Sequence, residues 1–423
     1  MPDEVSRQTE ALPGQDKPHK PCYSIPMNAP DNKRHIVVFA VIAALCLIGD
    51  SMLYIVLPVH AAELGLALWE VGIILAVNRL VRLPLNPCIG WLYSHISERT
   101  GILIAITLAA ATTFSYGFLP NLAFWILARC VWGVAWTLLR LGSLFCILRL
   151  SGPENRGHYT GLFNGLYRLG SLVGMFLGGV LADIWGMQVT AVVFGLLTSL
   201  SFFLALAAIP KGKNTQEEYG HDTGIRAGLA LLGQDRKVLW IVAGGGLVAF
   251  VIQGVIASTL SKLIDVHTAG GIGLAGTLIG AATLAGFFQA LRWGWEPWLA
   301  PFAGRMSDQH FGRPRMLCWA FAAGAGMLAL LALPLPLLVW FMCILGMQLT
   351  ATVLTTISDA TASDAASLAG GRALLMMYAL IVDVGAAVGP LVAYGMNEFF
   401  GINAVYLLSA GLFALLWTRW RGY

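Results

Sequence analysis

The sequence predicts an all-α integral membrane protein with twelve transmembrane helices in two pseudo-symmetric six-helix bundles. Apolar residues make up 57% of the 423 residues and charged residues only 11%, whereas soluble domains carry about 25% charged residues. Apolar runs long enough to cross a bilayer, about 20 residues each, follow one another with short loops. Lys and Arg collect on one side of these runs. This composition excludes a water-soluble enzyme and a disordered chain.

Twelve apolar runs reach spanning length. They lie at about 36–58, 69–93, 102–119, 122–148, 159–183, 187–209, 238–261, 273–303, 316–333, 336–358, 373–395 and 402–418. Backbone polar groups facing lipid must be bonded within their own segment, so each run is predicted to be a helix.

Four segments follow from these runs. We expect a disordered cytoplasmic tail at 1–35, a first bundle at 36–210, a cytoplasmic linker at 211–237 and a second bundle at 238–423. The tail is polar and rich in proline, and the linker contains the polar run KGKNTQEEYGHD.

The positive residues predict the orientation. With both termini in the cytoplasm, 19 of the 26 Lys and Arg lie on the inner side, six lie inside spans, and only Lys262 lies outside. Membrane proteins carry an excess of Lys and Arg on the cytoplasmic side. We therefore expect a multi-pass protein of a bacterial inner membrane.

The two halves of the chain resemble each other. The segment Arg168–Gly174 matches Asp383–Gly389 at an offset of 215 residues, and Gly90 matches Gly304 at an offset of 214. Repeated halves around a midplane site are typical of secondary transporters. Chance recurrence in a glycine-rich chain is the alternative.

The segment Gly304–Arg315, GRMSDQHFGRPR, follows the eighth run. It resembles the signature loop of the major facilitator superfamily, G-x-x-x-D, three residues, then G-R/K-x-R/K. The resemblance implies the twelve-helix fold of that superfamily and a conformational latch. The latch residues it implies are Gly304, Asp308, Gly312, Arg313 and Arg315.

The first-half copy of this loop, Gly90–Arg99, departs from the pattern. Ser94 stands in place of the aspartate and Glu98 in place of the second glycine. The departure puts a latch in this half in doubt.

Two further segments resemble the same superfamily. Arg129–Gly133 is similar to its R-x-x-x-G motif, which implies an association of Arg129 with proton coupling. Packing near the outer interface is the alternative for Arg129. The glycines of the fifth run resemble the glycine-rich helix of antiporters, although the usual Gly-Pro pair occurs instead at Gly389-Pro390.

The strings Gly49–Pro58 and Val77–Tyr93 resemble the branch that includes the magnetosome protein MamH. Membership would imply iron handling during magnetite formation, in a magnetosome or inner membrane.

Ionisable residues inside spans are the main candidates for chemistry, because a charge within a bilayer is costly. The proton or substrate candidates are Asp50, Arg79, Arg82, Arg129, Arg140, Arg168, Glu296 and Asp383. Asp50 is expected either to bind a cation or proton, or to form a static ion pair with an arginine of the second run.

Asp383 occupies the position in the repeat that corresponds to Arg168. The two are expected to face each other across a central cavity, as alternating partners or as a static pair. Arg79 and Arg82, three residues apart on one helix face, would make the cavity of the first half electropositive together with Arg140 and Arg168, and so attract an anion or an anionic metal chelate. Pairing with Asp50 and carbonyl groups is the alternative.

The run RWGWEPW contains Glu296 between three tryptophans. It predicts a substrate platform, with Glu296 paired to Arg292 one helix turn away. An interfacial aromatic belt is the alternative.

Evidence for a metal site is thin. Asp50, Met52 and Asp383 offer one weak mixed environment of oxygen and sulfur ligands, and no histidine lies mid-membrane. Enzyme motifs and an ATP site are absent from the sequence, so no cofactor is expected and an ion gradient or downhill flow must drive transport.

These observations predict a secondary carrier that alternately opens a cavity lined by the first, fourth, seventh and tenth helices, with Gln253, Trp136 and Thr137 contributing. Its partners would be a small solute or ion (iron included), protons and the lipid bilayer, but no nucleic acid. Iron transport, proton-coupled drug or metabolite efflux, and a non-transporting receptor or scaffold remain alternatives.

Overall fold

Helices form almost all of the described chain, as expected from the apolar runs. The computed structural model describes residues 29–151, 155–209, 235–274, 277–368 and 371–422. The α-helices are α1 Ala29–His60, α2 Leu68–Tyr93, α3 Glu98–Ser115, α4 Leu122–Leu150, α5 Arg156–Ala208, α6 Arg236–Ala249, α7 Ala257–Thr268, α8 Ala281–Met306, α9 Arg313–Leu331, α10 Leu337–Leu368, α11 Gly371–Phe400 and α12 Ile402–Trp420.

The described residues form twelve helical rods. Helix α5 bends at Gly186, whose φ of 79° is non-helical and favours glycine, so α5 supplies two rods. A π-helical segment, Phe250–Ile256, joins α6 to α7 in a single rod, which is the seventh rod in chain order. Within the described residues, eight stretches are long and apolar enough to cross a membrane by length and composition. Helices α2 and α8 are not among those eight, and both carry predicted site residues.

Two segment boundaries differ from the prediction. Helix α1 begins at Ala29, so the end of the predicted tail is helical. The eighth span begins at Ala281 instead of residue 273, because strands Gly271–Leu274 and Thr277–Gly280 form an antiparallel hairpin before it. Positive φ angles at Ala269, Gly270 and Gly271 end α7 and turn the chain into this hairpin. The predicted linker lies outside the described residues, apart from its last residues, which begin α6.

Glycines of α5 allow it to lie directly against α1. A Cβ added at Gly170 or Gly174 would overlap the backbone of Ala44 or Ile48, and one at Gly178 would overlap Met52. The spacing of four residues places these glycines on one face of α5. These three glycines of the fifth run therefore form a packing surface within the first half.

The second half repeats this packing at the matched positions. A Cβ at Gly385 or Gly389 of α11 would overlap backbone of Gly246 or Gly254 in the seventh rod. Because the matched glycines form the same contact in each half, the internal match in the sequence describes a structural repeat.

The two halves touch through α5 and α8, α2 and α11, and α1 and α7. We call the end where α1 begins and α5 ends the linker face, and the opposite end the far face. Near the far face, a Cβ at Gly179 would overlap Ala282 and one at Gly286 would overlap Met175. Backbones of the two halves are therefore in contact there.

Towards the linker face the same helix surfaces separate. Gly161 lies about five turns of helix before Gly179, and Gly304 lies about five turns after Gly286, so each pair shares one helix face. A Cβ at Gly161 or Gly304 would meet no heavy atom of the described residues within 4 Å. Helices α5 and α8 thus diverge, and the cleft between the halves opens at the linker face.

Candidate functional site

A buried ion pair joins three helices of the first half. Arg129 of α4 is fully buried and Asp50 of α1 is nearly so, and the Arg129 guanidinium pairs with the Asp50 carboxylate. Asn78 Nδ2 donates to Asp50 Oδ1 at 3.1 Å, and Arg129 Nε donates to the Ile74 carbonyl at 3.0 Å. Asp50 therefore forms its ion pair with an arginine of the fourth span, and the predicted ion pair with an arginine of the second span is wrong. Ile74 and Asn78 lie on the face of α2 that contacts this ion pair, whereas Arg79 lies on a different face of α2.

The predicted mixed metal site receives no support from the described residues, in which no group of three or more His, Cys, Asp or Glu side chains is placed to hold a metal ion. Asp50 is bound by Arg129, and Met52 is fully buried where it packs against Gly178 of α5.

Arg79 lies where the two halves meet. Its Nε donates to Tyr54 Oη of α1 and its Nη1 to Gln253 Oε1 of the seventh rod, both at 3.4 Å. Arg82 donates from Nε to the Asn78 carbonyl of its own helix at 3.0 Å. Asp383 of α11 interacts electrostatically with both arginines, but forms no ion pair within 4 Å among the described residues.

Arg168 of α5 pairs with Glu296 of α8, not with Asp383. The Arg168 guanidinium also lies over the Trp293 ring, 5.3 Å from its centroid. The predicted Arg168–Asp383 contact and the predicted Arg292–Glu296 pair are both wrong. The reason is the docking of the halves, which brings α5 to α8 and α11 to α2.

The Arg168–Glu296 pair and the Arg82–Asp383 interaction occupy matching positions of the repeat, with the positive and negative residues exchanged. Arg168 matches Asp383 at an offset of 215 residues, and Arg82 matches Glu296 at 214. The cation of one contact thus corresponds to the anion of the other. In this conformation Arg168–Glu296 is a closed ion pair, whereas Arg82 and Asp383 are farther apart.

A second pair of contacts shows the same inversion at the linker face. Glu98 at the start of α3 binds Arg149 at the end of α4 at 2.8 Å. Arg313 at the start of α9 binds Asp364 near the end of α10 at 2.6 Å. Glu98 corresponds to Arg313 in the repeat and Arg149 corresponds to Asp364, so the altered first-half loop keeps an ion pair at the matched place.

The predicted latch residues lie together at the linker face. Asp308 pairs with Arg313 at 3.3 Å, and Gly312 has a φ of 77°, which glycine readily adopts. Gly304 has open space beside it, and Arg315 is exposed. Within the described residues, Asp308 contacts only its own half, so a latch between the halves stays a prediction.

The remaining predicted residues divide between cleft and core. Arg140 is exposed and lies on the same face of α4 as Arg129, eleven residues later. Trp136 and Thr137 are buried inside the first half. Trp298 is 75% exposed, whereas the Trp295 Nε1 donates to Thr352 Oγ1 at 3.2 Å. The tryptophan run therefore faces both outward and inward.

Sequence reasoning missed a contact that closes the far face. Asp183 of α5 accepts hydrogen bonds from the backbone N–H and Oγ1 of Thr283, at 2.8 and 2.6 Å. Thr283 lies in the first turn of α8, where helix N–H groups are otherwise unpaired. His60 Nε2 lies 3.5 Å from Asp183. Asp183 is the only acid of the fifth and sixth apolar runs, which was the available signal.

Asp359 of α10 is another residue that the sequence did not single out. It accepts a hydrogen bond from the Tyr378 hydroxyl at 2.7 Å and interacts electrostatically with Arg168. With Glu296 and Asp383, it is the third carboxylate that interacts with the arginines between the halves.

Residues 39–295, more than half of the chain, match the family model for the Major Facilitator Superfamily. The chain belongs to this superfamily. The prediction from the loop Gly304–Arg315 is thereby confirmed at the level of the superfamily. The resemblance to the MamH branch stays a prediction.

Known relatives share modest identity with this superfamily member. The staphyloferrin B transporter of Staphylococcus aureus is 24% identical over 290 residues, 66% of each chain. The quinolone resistance protein NorA of the same species is 23% identical over 173 residues, 40% of this chain and 44% of NorA. An uncharacterised MFS-type transporter of Methanocaldococcus jannaschii is 23% identical over 191 residues, 44% of this chain. The chain spans 49% of the Methanocaldococcus protein and 66% of the staphyloferrin B transporter.

Solved transporters share the fold of this superfamily member. The nucleoside transporter NupG matches with a TM-score of 0.74 at 15% identity, over 94% of this chain and 99% of NupG. A bacterial homologue of the lysosomal transporter Spinster matches with a TM-score of 0.73 at 14% identity, over 93% and 97% of the two chains. These likenesses show the fold, to which the described residues contribute twelve helical rods.

Proposed function

We propose that this superfamily member is a secondary carrier that works by alternating access and moves a small organic anion. One observation carries the choice of an anion. Arg79, Arg82 and Arg292 lie in membrane-length helices, and none has a carboxylate within 4 Å among the described residues. Unpaired charges are costly in a membrane protein, and an anionic solute would compensate them.

Alternating access is supported by how the halves meet. They touch at the far face through Gly179, Gly286 and Asp183, and diverge towards the linker face. Rocking about the midplane would open the far face and close the cleft. With the predicted orientation, the cleft opens to the cytoplasm and both termini lie there, in a bacterial inner membrane.

We place proton coupling at Asp383. Asp50 is held by Arg129 and Asn78, so taking up a proton there would leave a buried arginine without its partner. Asp383 has no hydrogen bond or ion pair among the described residues. A proton on Asp383 would free the charges of Arg79 and Arg82 for the solute.

Two other substrates remain to be compared with a simple anion. An iron chelate with free carboxylates fits the same cationic centre and would agree with the predicted magnetosome role, whereas a bare iron ion finds no ligand cluster in the described residues. Efflux of cationic drugs is less favoured, because away from the far face four arginines of the described residues between the halves stand against three carboxylates and repel cations. The arginines are Arg79, Arg82, Arg168 and Arg292, and the carboxylates are Glu296, Asp359 and Asp383.

Uptake in proteoliposomes tests the proposal. We expect labelled citrate to accumulate faster under an imposed pH gradient, and the double variant Arg79→Gln/Arg82→Gln to lose most of this rate. Arg421→Gln, the same chemical change at an exposed site over Trp417, should keep it. Equal rates with and without the gradient would contradict coupling. Absence of flux for every organic anion offered would contradict the carrier role and favour a scaffold.

A further inference from the structure

The second half holds an unusual group of buried polar atoms. Gln289, Arg292, Trp293 and Glu296 occupy successive turns of α8, and we call them the polar face of α8. Gln348 of α10 adjoins them, since its Nε2 donates to Gln289 Oε1 at 3.2 Å. Gln289 and Gln348 are 1% exposed and Arg292 is 5% exposed.

Each of these five side chains has a polar atom without a hydrogen-bond partner among the described residues. The donors are Gln289 Nε2, Arg292 Nε and Trp293 Nε1, and the acceptors are Glu296 Oε2 and Gln348 Oε1. Buried polar groups are normally bonded, because leaving one unpaired costs free energy. Five such atoms within about two turns of one helix and on its neighbour indicate a ligand site.

We propose that the polar face of α8, with Gln348, binds the solute and selects a hydroxycarboxylate. This inference rests on the proposed carrier function and names the substrate class. Three donors, one of them on a guanidinium, suit the oxygens of a carboxylate. Two acceptors remain for a group on the solute that donates a hydrogen bond.

That donating group is a hydroxyl and not an ammonium. Arg168 binds Glu296 Oε1 and so already compensates its negative charge. Arg292 lies one turn from Glu296 and has no ion pair of its own in the described part of the chain, and Arg168 adds to the positive field at Arg292. Arg168 and Arg292 would repel an ammonium group on the solute, whereas a neutral hydroxyl is free to donate to Glu296 Oε2.

The site also joins solute binding to the contact between the halves. Arg168 belongs to α5 of the first half and lies over the Trp293 ring. A solute bonded to Trp293 Nε1 and Glu296 Oε2 therefore contacts two side chains that already hold Arg168. Solute binding at this site would therefore affect the contact between the two halves.

Binding to the detergent-solubilised full chain, measured by calorimetry, tests this assignment. Citrate and propane-1,2,3-tricarboxylate carry the same carboxylates and differ only by the hydroxyl. We expect citrate to bind about tenfold tighter, the usual effect of one hydrogen bond to a charged group. Glu296→Gln should reduce this ratio, and Arg292→Gln should weaken both ligands.

A matched pair of tryptophan variants separates the site from general effects on α8. Trp293→Phe removes an unpartnered Nε1 and should weaken citrate binding about tenfold. Trp298→Phe makes the same change at a side chain that is 75% exposed and should leave binding unchanged. Equal binding of the two tricarboxylates, or no effect of Trp293→Phe, would overturn the assignment. Proteoliposome flux of another anion that still required Arg79 would then leave the carrier function standing.

Discussion

At the scale of single residues, Asp50 and Arg129 show how context decides the role of an intramembrane charge. Both lie inside apolar spans and look functional in the sequence. In the structure each is the other's partner, Asn78 also donates to Asp50, and the Ile74 carbonyl accepts from Arg129. Removing one member of such a pair leaves an uncompensated buried charge, which costs about 3–5 kcal/mol. We therefore assign this pair to stability.

This assignment predicts that Asp50→Asn lowers the melting temperature of the solubilised protein strongly, and that Arg129→Gln does the same. The double variant should recover part of the loss, because no lone charge remains. Thermal unfolding followed by light scattering or intrinsic fluorescence measures this directly. If Asp50→Asn melted like the native protein but lost its pH-driven flux, Asp50 would instead be the proton site.

At the scale of helices, glycine faces determine which rods lie close together. Gly170 and Gly174 bring α5 onto α1, and Gly385 and Gly389 bring α11 onto the seventh rod. In membranes, where lipid removes the hydrophobic drive between helices, close backbone approach through small residues is a main source of association. The repeated pattern in the sequence is therefore a pattern of packing.

We expect Gly174→Ala to destabilise the first half, because its Cβ would overlap backbone atoms of Ile48, which cannot rotate aside as a side chain can. The cost should be about 1–3 kcal/mol. Gly161→Ala is the matched control on the same helix. It meets no atom within 4 Å and should be neutral or slightly stabilising, since alanine is the better helix former. Resistance to chemical denaturation of both variants in the same detergent provides the comparison. Equal losses at the two positions would refute the packing role.

At the scale of the whole molecule, the far face is closed by close packing of α5 against α8 and by one polar contact. Asp183 caps the start of α8 from the opposite half, with His60 beside it, and the glycines around it allow α5 and α8 to touch. The polar contact is readily reversible, because water can replace the carboxylate at the helix N-terminus. The linker face offers no comparable contact between α5 and α8 at Gly161 and Gly304.

The sequence predicted the rods, the repeat and the family because these follow from local properties. Hydropathy marks a span, and a signature loop such as Gly304–Arg315 is contiguous. Ion-pair partners depend instead on which helices of the two halves dock. Arg168 could not be assigned to Glu296, which is distant in the sequence, before α5 was known to meet α8.

The hairpin at 271–280 shows a different limit. Its glycines and β-branched residues read as part of an apolar run, and only the turn at Ala269–Gly271 shows that the helix has ended. Asp183 was overlooked because it lies at the end of a span, where an exposed carboxylate is unremarkable. Its role comes from α8 of the other half.

Distance measurement between spin labels at Gly161→Cys and Gly304→Cys, in a variant whose native cysteines are replaced, tests the rocking of the two halves most directly. Both positions have open space, so the labels should fit without distorting the fold. We predict two distance populations in nanodiscs, and we predict that Asp183→Asn enlarges the shorter one by weakening the far-face closure. A single distance that neither citrate nor Asp183→Asn alters would contradict alternating access in this protein.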